Sequence, residues 1–98
     1  MLLPKNLADR YFAFTDAVFE PGHLDLKTKE LIAVASSVLL DCLDCFEHHF
    51  KKAVQAGAEV EEIKEAVSVA LAVGGGSKFA KFRSKMAEME RSGGHKAR

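Results

Sequence analysis

Apolar residues recur at helical spacing through nearly the whole chain, and the breaks between the periodic segments fall at residues that end helices. From about Asn6 to Glu20, Leu7, Tyr11, Phe14 and Val18 form one stripe, closed by Pro21-Gly22. A second helix is expected from Asp25, as N-cap, to about Leu40, with Leu31, Ala35, Val38 and Leu39 turned inward. A third runs from about Cys42 to Ala56, with Gly57 at the position after the C-cap. A fourth starts near Glu59 and carries Val60, Ile63, Val67, Ala70 and Leu71 on one side. Glu59, Glu61 and Glu62 sit where the helix dipole favours negative charge. Gly74-Gly75-Gly76 is expected to stop it, and a last helix spans Ser77 to about Arg91. No alternating strand pattern and no internal repeat is present. The expectation is an all-α bundle of about five helices, with residues 1–91 as one domain and 92–98 as a flexible tail.

Composition narrows the class. Ninety-eight residues make one domain, and 48% hydrophobic with 29% charged residues is an ordered composition. Fourteen basic and fourteen acidic side chains cancel, so no charge footprint argues for nucleic acid or an anionic membrane surface. A small chain with this many aliphatic and aromatic positions is expected to hide apolar surface in a homo-oligomer. The first residues, MLLPKNLADRYF, lack the apolar core of a signal peptide, and no apolar run is long enough to cross a bilayer. A cytoplasmic location is therefore expected. In that compartment thiols are kept reduced, so two cysteines point to chemistry more than to a structural staple. The three glycines lack the lysine-serine pair and preceding strand of a phosphate loop, and read as a helix junction. Aromatic residues, from Tyr11 to Phe82, read as core or subunit interface. The basic set Lys78, Lys81, Arg83 and Lys85 reads as a solvated face.

The spacing Cys42-Leu43-Asp44-Cys45 followed by His49 is the chemical signal. With Asp41 as N-cap, Cys42 is the first helical residue and meets the positive end of a helix dipole, which stabilises a thiolate. Asp44 then takes the acidic place of a capping box. At about 100° per residue, Cys42, Cys45 and His49 fall within roughly 60° of arc. Cysteines three apart on a helix stand about 5 Å apart at Cα, within disulfide range. His49, one turn beyond Cys45, can serve it as a base. At least one thiol is then expected below the ordinary pKa of about 8.5. Glu30 lies about 18 Å from Cys42 if the helix is unbroken, and reaches the site only if the chain bends near Asp41. Brought close, its carboxylate can orient His49. His48 lies about 100° round the helix and reads as a surface or interface histidine.

Lys27-Thr-Lys-Glu-Leu-Ile-Ala33, Cys42-Leu-Asp-Cys-Phe-Glu-His-His49, Ala53-Val-Gln-Ala-Gly57 and Gly74-Gly-Gly76 together resemble the carboxymuconolactone decarboxylase superfamily, and within it the alkylhydroperoxidase AhpD-like branch. That branch has a glutamate, eleven residues, CxxC, three residues and a histidine, met here by Glu30, Cys42, Cys45 and His49. The resemblance covers about residues 27–82. It implies an all-helical fold assembling into trimers or hexamers, and an enzyme that reduces peroxides or disulfides through the cysteine pair. Its partners are then a peroxide or disulfide substrate and an external dithiol reductant, with no cofactor. The best-characterised members are about twice as long and carry a further histidine between the cysteines, where this chain has Leu43-Asp44. A carboxylate there opposes thiolate formation.

Two other readings use the same residues. A lyase of the same superfamily would employ His48 or His49 as acid-base group, but has no use for a reversible disulfide. Cys42, Cys45 and His49, with Glu30 or His48, also make a zinc ligand set for a non-catalytic or assembly module. Structural zinc sites usually draw a second ligand pair from a separate loop, and His23 and His95 are poorly spaced for that. The adopted reading assigns no metal.

Overall fold

The turns between helices set the architecture of this chain, whose computed structural model describes residues 2–93. Four helices follow in order: α1 (Lys5–Phe19), α2 (Leu26–Leu39), α3 (Leu43–Gln55) and α4 (Val60–Gly93). Asp25 caps α2 as expected, its Oδ1 accepting the Thr28 N–H at 2.8 Å. At the other end, Asp41 N–H reaches the Val38 carbonyl and Cys42 N–H reaches the Ser37 carbonyl. This is a Schellman ending, and it puts Asp41 in the left-handed region at φ 55°. Asp41 therefore closes α2 and does not cap α3; the N-cap is Cys42, one residue later than the sequence reading placed it. The same ending closes α3. There Ala58 N–H returns to the Ala53 carbonyl and Gly57 adopts φ 98°, a conformation that favours glycine. Glu62 Oε1 accepts the Glu59 N–H at 2.9 Å, the acidic half of a capping box opening α4.

The expected fifth helix is part of α4. Gly74, Gly75 and Gly76 continue the helix, so the described residues form four helices where about five were expected. Each glycine costs about 1 kcal/mol against alanine but keeps its N–H, so no hydrogen bond of the ladder is lost as it would be at proline. Packing also favours a small residue at the first of them. A Cβ at Gly74 would stand 3.1 Å from Leu39 Cδ2, so α2 crosses close to α4 there. Helix α4 runs to Gly93, so residues 92 and 93 of the expected tail are helical, and 94–98 lie outside the described residues.

The core is small and centred on α2. Val34 is fully buried against Ala53, Ala58 and Ile63, with Leu31, Phe46, Phe50 and Val67 packed around it. Burial of Val34 and Ile63 contributes about 1.5–3 kcal/mol each. On α2 the buried residues are Glu30, Val34 and Ser37; of the four expected inside, Leu31, Ala35 and Val38 are half-buried and Leu39 is exposed. On α4, Ile63 and Ala70 are buried as expected, whereas Val60 and Leu71 are exposed.

Much apolar surface stays uncovered. The α1 stripe of Leu7, Tyr11, Phe14 and Val18 faces solvent. So do Phe79, Phe82, Met86 and Met89, spaced three, four and three apart on the distal half of α4. The chain exposes 7883 Å², where a folded monomer of its 10.7 kDa mass exposes roughly 5,500 Å². Its radius of gyration is 19.7 Å, against about 13 Å for a compact chain of this length.

Candidate active site

The Schellman turn supplies the bend that Glu30 needs. It reverses the chain between α2 and α3, so that residues near the start of α2 lie beside the middle of α3. Glu30 is buried, and its Oε1 accepts a hydrogen bond of 2.7 Å from His49 Nδ1–H. That contact leaves Nε2 as the nitrogen free to take a proton. One turn before Glu30, a second polar contact ties α2 to α4. The Lys27 ammonium bonds Glu62 Oε2 on α4 at 2.9 Å, and this partner raises the Lys27 pKa. Glu62 is held below the usual carboxylate range by the Glu59 N–H first and by Lys27 second. Asp25 is lowered likewise, by the hydrogen bonds from Thr28.

Cys42 and Cys45 are joined as a disulfide, with Cα atoms 5.2 Å apart. As N-cap, Cys42 uses its sulfur where serine or aspartate would use oxygen: Sγ accepts the Cys45 N–H at 3.2 Å. A thiolate on Cys42 after reduction would thus meet a helix N-terminus. The two cysteines line different spaces. Cys45 and His49 line a cavity of about 710 Å³ walled largely by apolar residues, among them Val18, Leu24, Ile32 and Leu40. Cys42 lines a separate cavity of about 520 Å³ with Ser37, Val38, Leu43 and Phe46.

The structure thus brings together Glu30, His49 and the cysteine pair. His48 is exposed and meets the His49 ring edge-on, with centroids 4.9 Å apart. Sequence reasoning assigned Phe19 to core or interface; it lies stacked on the His49 imidazole, with centroids 5.5 Å apart and planes 17° apart. It is the last residue of α1, just before Pro21-Gly22, a position that carries no sequence signal of a contact with α3. Among the described residues, no group of three or more histidine, cysteine and acidic side chains is placed to hold a metal ion. Within the same residues, no helix is long and apolar enough to cross a membrane.

Fold and site define an all-helical protein with a paired-cysteine centre backed by a carboxylate-held histidine. The chain belongs to the carboxymuconolactone decarboxylase family, whose model matches residues 5–88. It is 36% identical over 85 residues to uncharacterized protein 4 in the cox locus of Paracoccus denitrificans, covering 87% of this chain and 77% of that one. A second relative, an uncharacterized protein of Cupriavidus necator, is 37% identical over 60 residues, 61% of this chain and 53% of that one. Among solved structures, a carboxymuconolactone decarboxylase family protein of Thermotoga maritima superposes with a TM-score of 0.69 at 38% identity. The match covers 93% of this chain and all of that one, and a role in an antioxidative response has been suggested for that protein. A second crystal structure of the Thermotoga protein gives 0.68 at 39% identity, over 91% of this chain and 83% of that one.

Proposed function

We propose that this protein is a thiol-dependent oxidoreductase of the alkylhydroperoxidase AhpD-like kind, reducing peroxides or disulfides through Cys42 and Cys45. The observation that carries the reading is the shared cavity: Cys45 and His49 line one apolar space, and Glu30 holds the histidine from behind. In the reduced enzyme, His49 Nε2 takes the Cys45 proton and the thiolate attacks one peroxide oxygen. The O–O bond breaks, Cys45 becomes a sulfenic acid, and the alcohol leaves with the proton returned by His49. Cys42 then attacks the Cys45 sulfur, water departs, and the disulfide closes. An external dithiol attacks Cys42 through the second cavity and leaves as its own disulfide. The sum is one hydroperoxide and one dithiol converted to alcohol, water and disulfide. With a disulfide substrate, Cys45 forms a mixed disulfide that Cys42 resolves in the same order.

The excess of exposed apolar surface supports a homo-oligomer, a trimer or hexamer by the family resemblance. A cytoplasmic setting suits a pair that must be re-reduced after each turnover. The test is a turnover screen with hydrogen peroxide, cumene hydroperoxide and a model disulfide, using dithiothreitol as reductant. Wild type is expected to consume at least one of them and Cys45→Ser none. Wild type inactive on all three, or Cys45→Ser as active as wild type, would overturn the reading.

A further inference from the structure

Lys29 stands next to Glu30 on α2 and has no part in the chemistry above. Its ammonium reaches back to α1, where it donates hydrogen bonds to the Val18 and Glu20 carbonyls. These two carbonyls flank Phe19, the residue stacked on His49. The Val18 carbonyl belongs to the last turn of α1, where carbonyls lack partners within the helix and carry partial negative charge, and the Glu20 carbonyl to its extended C-cap. The last turn of α1 has no basic residue of its own, so Lys29 supplies the cation from the neighbouring helix.

The rest of α1 is loosely attached. It buries Ala8 alone, and its backbone approaches α2 but neither α3 nor α4. The Lys29 clamp and the Phe19–His49 stack are therefore the ties at its C-terminal end. Phe19 and His49 also line two cavities at once. One is the space that Cys45 lines, and the other, of about 770 Å³, is lined by Glu30 and His48 as well. The stacked pair is thus a partition between the apolar side of the histidine and its polar side.

We infer that Lys29 is a positioning residue for His49: it fixes the backbone on both sides of Phe19, and Phe19 holds the face of the imidazole whose edge Glu30 holds. Consecutive residues of α2 then set the two constraints on the base. Its catalytic consequence rests on the proposed function, but the positioning itself is measurable without it.

The experiment uses the reduced full chain, with Lys29→Met (which keeps the apolar stem), Lys29→Arg and Phe19→Leu. The first readout is the NMR shift of the His49 ring protons, which a ring stacked face to face displaces upfield. The second is the rate of cysteine alkylation by iodoacetamide across pH. Lys29→Met is expected to remove most of the upfield displacement. It should also slow alkylation by about threefold to tenfold, less than the full worth of a charge-assisted hydrogen bond because Lys29 acts on His49 through Phe19. Phe19→Leu is expected to slow it equally, the double variant no more than either, and Lys29→Arg to keep both readouts near wild type. The inference is overturned if Lys29→Met keeps the displacement and the rate, or if the two losses multiply in the double variant. It is also overturned if Lys29→Arg, which keeps the cation, loses the shift as Lys29→Met does, since the charge would then not be what holds Phe19. A wild type with these shifts and rates but no peroxide or disulfide turnover would defeat the proposed function and leave the positioning intact.

Discussion

Replacing Glu30 with glutamine isolates the contribution of the buried carboxylate to the base. The side chain keeps its size, and its carbonyl can still accept the His49 Nδ1–H across the 2.7 Å contact. What is lost is the charge. A hydrogen bond to a charged group is worth about 1.5–3 kcal/mol and a neutral one about 0.5–1.5 kcal/mol. The difference, about 1–1.5 kcal/mol, corresponds to a rate falling by roughly fivefold to tenfold. Removing the base outright with His49→Gln should cost about a hundredfold or more. The assay is the pH dependence of iodoacetamide alkylation in the reduced protein, with helix content followed by circular dichroism. His48→Gln is the control and should leave the profile nearly unchanged, because that ring is exposed and bonds neither Glu30 nor the sulfurs. An unchanged profile in Glu30→Gln beside a slowed His49→Gln would show that the carboxylate does not act through the histidine. A shifted profile in His48→Gln with none in His49→Gln would refute the assignment of the base.

Light scattering across micromolar concentrations should give a mass several times 10.7 kDa, since a stable monomer would leave both the α1 stripe and the distal α4 seam in water. Gly75→Ala and Gly76→Ala should each stabilise the protein by about 0.5–1 kcal/mol in denaturant unfolding, because both are helical and a Cβ there meets nothing within 4 Å. Gly57→Ala should destabilise by about 1 kcal/mol or more, because φ of 98° strains any side chain. The Lys27–Glu62 pair has a lowered Glu62 and a raised Lys27. Its stabilisation should therefore be present between the ordinary values of 4.5 and 10.5. It should fade as pH falls through the lowered Glu62 value, and again as pH rises through the raised Lys27 value. Thermal unfolding of Glu62→Gln should accordingly lose less on going from neutral to acid pH than wild type does.

Helix type, three of the four helix starts and the nearness of Cys42, Cys45 and His49 were readable because each rests on local signals. Asp25 caps α2 by its own side chain, Gly57 supplies a positive φ, and CxxCxxxH spacing places the thiols and the base on one helix. Glu30 was readable only with the family spacing, because its meeting with His49 depends on a turn between helices. The one-residue error at Asp41 has a local cause: an aspartate can close one helix in the left-handed region or open the next from an extended conformation. Two backbone bonds to α2 decide for the first. The glycine run was misread because propensity is a weak prior, and the contact of Gly74 with Leu39 is tertiary. Phe19 and Lys29 were invisible for the same reason. Neither position carries a signal saying that the end of α1 lies over His49.

The central claim, a cysteine pair that cycles between dithiol and disulfide, is tested most directly by thiol counting with intact mass. Reduced protein is treated with one equivalent of a hydroperoxide, then with dithiothreitol. The account predicts that two thiols per chain vanish together, that the mass falls by two hydrogens with no intermolecular link, and that both thiols return on reduction. One thiol lost per chain with oxygen added, or disulfides formed only between chains, would contradict it.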